Sequence, residues 1–362
     1  MAPDDAGQGT PGTLRGTSAR EARVHDQGRG GARRGSGGGG GGLVGGGGPQ
    51  VPEADFRSYY GRPILKAPVW EWDIPAYLFT GGLAGGSSLL AAGASVTGRD
   101  DLRRATRSAA LVGIGASTYF LINDLGRPER FYNMLRIVRV TSPMSVGTWI
   151  LSVYGPAAGA AAAAELAPLL PERGVLGLAR RLAGPVGSLA GWAAAATAPA
   201  LATYTAVLLA DTAAPAWHDA HRLLPFVFGG SALASGGGVG MLAAPLAQAG
   251  PARRMAVAGA AVELVAERLV ETRLGLSSEA FHEDAPRRKL RASQALTVAG
   301  AVGAVLGRRS RVVSALSGLA LLSGSALTRF GVFDAGVAST KDPRYVVVPQ
   351  RERVRRGEPV RA

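Results

Sequence analysis

The stretch "FLINDLGRPERFYNML", Phe120 to Leu135, closes an apolar run on Asn123 and Asp124 and passes at once into Gly126-Arg127-Pro128-Glu129-Arg130. Glycine and proline stop a helix, and a charged cluster after roughly twenty mostly apolar residues is how a bilayer crossing ends. The pattern recurs along the chain. Apolar runs are read at Ile74 to Val96, Ala105 to Leu125, Met144 to Leu166, Pro185 to Ala210, Leu223 to Leu246, Met255 to Thr272, Ala292 to Leu306 and Val312 to Phe330. The expected fold is an all-α integral membrane protein with about eight transmembrane helices in a helical bundle. The sixth run carries Glu263, Glu267, Arg268 and Glu271 and the seventh is short, so each either crosses or lies on the surface.

Composition agrees. The 362 residues are 47% hydrophobic and only 18% charged, with 53 glycines, whereas soluble domains are about a quarter charged. With no cysteine, the chain ligates no iron-sulfur cluster of its own and forms no disulfide. The formal charge of +14 sits in the tails and in short breaks between apolar runs, which points to lipid and orientation rather than to nucleic acid. Three regions follow: a Gly/Arg-rich tail over 1–55, read as disordered, a transmembrane domain over 56–331, and a basic C-terminal tail over 332–362. An even number of crossings puts both termini on one side. Their basic flanks, Arg15 to Lys66 and Lys341 to Arg361, favour the cytoplasm, while Arg99, Arg103, Arg104, Arg173, Arg180, Arg181, Arg308 and Arg309 pull the other way.

Glycines four apart, Gly81 with Gly85 and Gly82 with Gly86, read as a close helix-packing face. Pro156, Pro199 and Pro245 are expected to kink or break their spans.

Ionisable groups at membrane depth are expensive and need an explanation. Three places stand out. "PVWEWDIPAYLF" holds Glu71, Asp73 and Tyr77 at the headgroup level, where solvation and function are both open to Asp73. Asn123 and Asp124 close the second run, and Asp124 pairs with Arg127 if the helix continues, or stands as a carboxylate able to exchange protons. Glu263, Glu267 and Glu271 fall on one helical face over about 12 Å, a proton relay if the helix spans and a wet face if it does not. Tyr204 offers a hydroxyl at moderate depth, for a ligand carbonyl or a cross-helix bond. The four histidines, His25, His218, His221 and His282, lie outside the runs, so axial haem ligands are lacking. His218 and His221 beside Trp217 read as interfacial rather than metal-binding.

The segments "YYGRPILKAPVWEWDIPAYLFTGGLAGGSSLL", "NDLGRPERFYNMLRIVRVTSPMSVGTWIL" and "FDAGVASTKDPRYVVVPQR" resemble the NrfD-like family, the membrane-anchor subunits of polysulfide reductase and related complexes, from about Tyr59 to Arg351. The resemblance implies an eight-helix anchor of the cell membrane, without haem and not catalytic alone. Such a subunit exchanges electrons between a quinone, menaquinone or another, and a four-cluster ferredoxin-like iron-sulfur partner. That partner serves a molybdopterin oxidoreductase or formate-dehydrogenase-like catalytic subunit. Carried over by motif, Tyr77, Asn123 and Tyr204 would bind the quinone, while Asp73, Asp124 and Arg127 would handle protons. Two other classes stand beside this one: a proton-translocating subunit using Glu263 and Glu267, and a passive anchor for a peripheral reductase.

Overall fold

The computed structural model describes residues 63–357, and the tail reading for 1–55 lies outside them. Among the described residues there is no strand. Eight long helices coincide with the eight apolar runs: α1 Asp73–Val96, α2 Asp100–Asp124, α3 Pro143–Ala164, α4 Gly174–Ala210, then, after the short α5 Pro215–Asp219, α6 Leu224–Ala243, α7 Gly250–Arg273, α8 Asp284–Leu306 and α9 Arg311–Lys341. A further helix, α10, covers Arg344–Arg355. By length and composition, α4, α6, α8 and α9 are able to cross a membrane, with a fifth only if α2 and the 3-10 helix Pro128–Leu135, bent by 107°, count as one broken span.

Two boundaries differ from the sequence reading. The last span does not stop at Phe330, nor does a tail begin at 332, because α9 runs on to Lys341. Its extension is held by packing: Val332, Phe333 and Ala335 are buried, and the Trp217 indole of α5 donates to the Val332 carbonyl at 2.7 Å. Pro156 and Pro199 are taken up inside α3 and α4, whereas Pro245 falls in the turn after α6.

Short links make neighbours in sequence antiparallel. Helices α1 to α4 pack as one four-helix group and α6 to α9 as a second, joined where α6 lies against α1 and α4 and where α9 meets α1. The seventh run gains its missing length because α8 starts at Asp284, and the glutamate-bearing α7 packs against α6 in the second group.

Helix α6 is the pillar. Consecutive helical residues point about 100° apart, and Gly236, Gly237 and Gly238 use this to meet three different helices. A Cβ on Gly236 would strike the backbone of Gly86 in α1. One on Gly237 would lie 2.7 Å from the Ala252 carbonyl and Ala256 of α7, and one on Gly238 would lie 2.8 Å from the Gly318 carbonyl of α9. Without a hydrophobic drive between helices in lipid, such close backbone approach supplies the packing energy.

At the end of the bundle where α1 finishes, the loop arginines are bonded within the protein. Arg103, Arg104 and Arg107 surround Glu165. Arg99 donates to the Ala247 carbonyl at 2.9 Å, and Arg311 to the carbonyls of Met241 and Ala244 at the close of α6. Cations there satisfy orphan carbonyls and complement the helix dipole.

Replacing Gly236 or Gly238 by alanine is expected to destabilise the protein by about 1–3 kcal/mol through overpacking, seen as a lowered thermal midpoint in detergent. Gly93→Ala, where nothing lies within 4 Å of the new Cβ, should leave the midpoint unchanged or raise it.

Candidate functional site

The opposite end gathers the start of α1, the end of α2 and the end of α4. Asp73 is the first residue of α1, where the helix dipole favours a carboxylate, and it is 2% exposed. The Asn123 amide donates to Asp73 Oδ2 at 3.1 Å, while Asp73 Oδ1 is buried with no hydrogen-bond partner among the described residues. This contact joins residues fifty positions apart. It exists because α2 stops: Gly126 takes φ +69°, a left-handed conformation that glycine adopts without strain, and Pro128 opens the following 3-10 helix.

Tyr77 lies one turn further along α1 and is buried, its carbonyl accepting from the Ser117 hydroxyl at 3.2 Å. Tyr204 of α4 belongs to the same core. Its ring fills the space that a side chain on Gly147 would occupy, which gives the glycine of "SPMSVGTW" its physical reason. The Tyr204 hydroxyl is buried, again without a partner among the described residues. Asp124 is half-buried and Arg127 exposed, and the helix does not continue to carry both: α2 ends at Asp124, and Arg127 lies outside it as the residue before Pro128.

The carboxylates of α7 form a second polar zone. Glu263 is 1% exposed; its Oε1 accepts from the Thr328 hydroxyl of α9 at 2.7 Å, and Thr328 shares a 2.6 Å hydrogen bond with Ser293 of α8. Glu263 Oε2 has no partner among the described residues, and neither does either oxygen of the buried Glu267. Glu271, less buried, accepts from Arg268 at 3.1 Å and Gln294 at 3.4 Å. Thus the inner two carboxylates face the bundle and the third closes the row at its end. Glu267 and Glu271 line one cleft with Leu224, Phe281, Leu290 and Gln294.

Arg329 escaped the sequence reading. It is fully buried, its guanidinium 3.7 Å from the Phe228 ring centroid, with Nη2 donating to the Phe228 carbonyl at 2.8 Å. A Cβ on Gly82 of α1 would come within 3.0 Å of Nη2, so the residue sits at the seam between the two four-helix groups. Nε and Nη1 have no partner among the described residues. The available signal was a lone arginine in "SGSALTRFGVF", obscured by ending the span at Phe330.

In the histidine loop, Trp217 is buried, stacked on Trp70 at 6.1 Å and seated against Gly336. The Nδ1 atoms of His218 and His221 face the carbonyls of Ala210 and His218. Among the described residues no three His, Cys, Asp or Glu side chains group as metal ligands.

The family model of polysulphide reductase, NrfD, matches residues 64–265. The chain belongs to this family. It is a multi-pass membrane protein of helices. A curated relative, the C subunit of polysulfide reductase from Wolinella succinogenes, is 34% identical over 94 residues, covering 24% of this chain and 30% of the relative. The match therefore spans less than a third of that relative's length. The family region takes in Asp73, Tyr77, Asn123, Tyr204 and Glu263, and ends short of Glu267 and Arg329.

Thr328→Val should cost about 1–3 kcal/mol, because it strips a buried carboxylate of its donor. Thermal unfolding in detergent checks this, with Thr297→Val, whose hydroxyl has no partner among the described residues, expected to be close to neutral.

Proposed function

We propose that the chain is the quinone-reactive membrane subunit of a reductase complex, with eight crossings of the cell membrane. It exchanges electrons between a quinone or quinol, menaquinone among the candidates, and a four-cluster ferredoxin-like iron-sulfur subunit. The latter serves a molybdopterin or formate-dehydrogenase-like catalytic subunit. The carrying observation is that a tyrosine hydroxyl, Tyr204, and a carboxylate oxygen, Asp73 Oδ1, are both buried without partners among the described residues, inside the family-matched region. Buried polar atoms are nearly always hydrogen-bonded, so orphans of this kind suit a ligand that both accepts and donates.

A quinone head has that chemistry, and its reduced form supplies two electrons and two protons when oxidised. Tyr204 donates a hydrogen bond to a carbonyl oxygen, and Tyr77 lines the same core. Asp73, oriented by Asn123, accepts a proton. Asp124, the last residue of α2, and Arg127, just beyond it, would pass protons outward from the site. The absence of cysteine agrees with the metal clusters residing in the partner.

A second reading has its own observation. Glu263 and Glu267 are buried in the second helix group with three of their four oxygens unbonded among the described residues, which suits a proton-translocating role beside the electron transfer. A passive anchor for a peripheral reductase needs neither set of orphans.

In liposomes, Tyr204→Phe is expected to lower quinol-dependent turnover about tenfold, the equivalent of one hydrogen bond near 1.4 kcal/mol, and Asp73→Asn about a hundredfold, with assembly intact. Unchanged turnover in both variants would leave only the anchor role. Glu267→Gln should abolish proton uptake into the vesicles while electron transfer to the partner continues; uptake equal to the parent rejects the second reading.

A further inference from the structure

Between α2 and α3 the backbone runs through Arg127 to Val140 almost wholly exposed, with Met134 alone half-buried. Phe131, Tyr132, Leu135, Ile137, Val138 and Val140 all face outward, the last at 83% exposure. Interleaved with them are Arg127, Arg130, Arg136 and Arg139, whose side chains form no ion pair or hydrogen bond among the described residues, against one acid, Glu129. The segment is not slack. Its first half is a 3-10 helix bent by 107° from α2, and its second half is tied to α3, since the Ser145 hydroxyl donates to the Ile137 carbonyl at 3.2 Å and accepts from the Arg139 amide at 3.0 Å. Six apolar side chains and four guanidinium groups are thus held outward by a fixed backbone.

We propose that Arg127 to Val140 is an interfacial arm that beds its apolar side chains at the boundary of headgroups and acyl chains and binds anionic lipid phosphates through its arginines. The charge is complementary to such a surface, and guanidinium forks match phosphate oxygens. A helix that leaves a membrane-crossing segment at near a right angle lies along the bilayer plane, at the depth where apolar and basic side chains are both satisfied. The arm begins soon after Asn123 makes its bond to Asp73, Asp124, Leu125 and Gly126 being followed by Arg127. Anchoring it would hold that end of α2 at headgroup depth. The inference stands on the membrane placement and not on the quinone reading.

The cysteine-free sequence permits a single nitroxide at Val138→Cys in the full-length protein. In nanodiscs of phosphatidylcholine with phosphatidylglycerol, the label should be accessible to oxygen and shielded from a water-soluble nickel chelate. Phosphatidylglycerol retained per protein should fall several-fold in Arg130→Gln/Arg136→Gln/Arg139→Gln, whose exposed, unbonded side chains the fold does not require. A label open to the nickel chelate in both anionic and zwitterionic discs overturns the proposal. So does shielding found only in protein purified with its associated subunits, which would make the arm a protein-docking surface.

Discussion

Three consecutive glycines in α6 set the architecture. Because Gly236, Gly237 and Gly238 face α1, α7 and α9 in turn, one short stretch brings both four-helix groups against the same axis. A side chain at any of the three would push one neighbour away and break the seam between the groups. The same device seats the aromatic residues: Gly147 receives the Tyr204 ring and Gly336 the Trp217 indole. In a bilayer, where apolar burial between helices has little driving force, recesses filled by backbone or by a ring take over the role that a hydrophobic core has in water. The position of Tyr204, and hence of its unbonded hydroxyl, follows from a packing rule before any functional one.

The two ends of the bundle treat their polar groups differently. Where α1 finishes, Arg99, Arg103, Arg107 and Arg311 each hold at least one carbonyl or carboxylate, and Gln248 bridges to Asp101 at 2.6 Å. Arg99 and Arg103, read in the sequence for orientation, also bond the Ala247 carbonyl and Glu165. Where α1 starts, a carboxylate oxygen and a phenol are buried without partners among the described residues. At the first end the orphans are single guanidinium Nε atoms of arginines such as Arg99 and Arg107 that are bonded elsewhere; at the other they are a carboxylate oxygen and a phenol.

Much of this was legible in the sequence. Run length located the eight helices, and the glycine-proline punctuation of "NDLGRP" located the end of α2. Spacing alone put Glu263, Glu267 and Glu271 on one face. What it did not reveal was which way that face points, since depth and direction come from the partner helix: Thr328 and Ser293, from α9 and α8, turn Glu263 inward. Arg329 was missed for a related reason. Its depth depends on α9 continuing to Lys341, and that continuation depends on Trp217, a residue more than a hundred positions away.

Charge balance ties these pieces together. Among the described residues the buried Asp, Glu, Lys and Arg side chains are Asp73, Glu263, Glu267 and Arg329, three acids and one base. A buried ion without compensation costs several kcal/mol, and Arg329, fixed to Phe228 and Gly82 at the seam, offsets one carboxylate at most. The surplus has to be met by protons, by water or by donors from a ligand. Apolar residues of similar volume would pack without that desolvation cost. The excess of acid over base inside the bundle is a surplus that the proposed function meets with protons, in whichever of the two polar zones carries them.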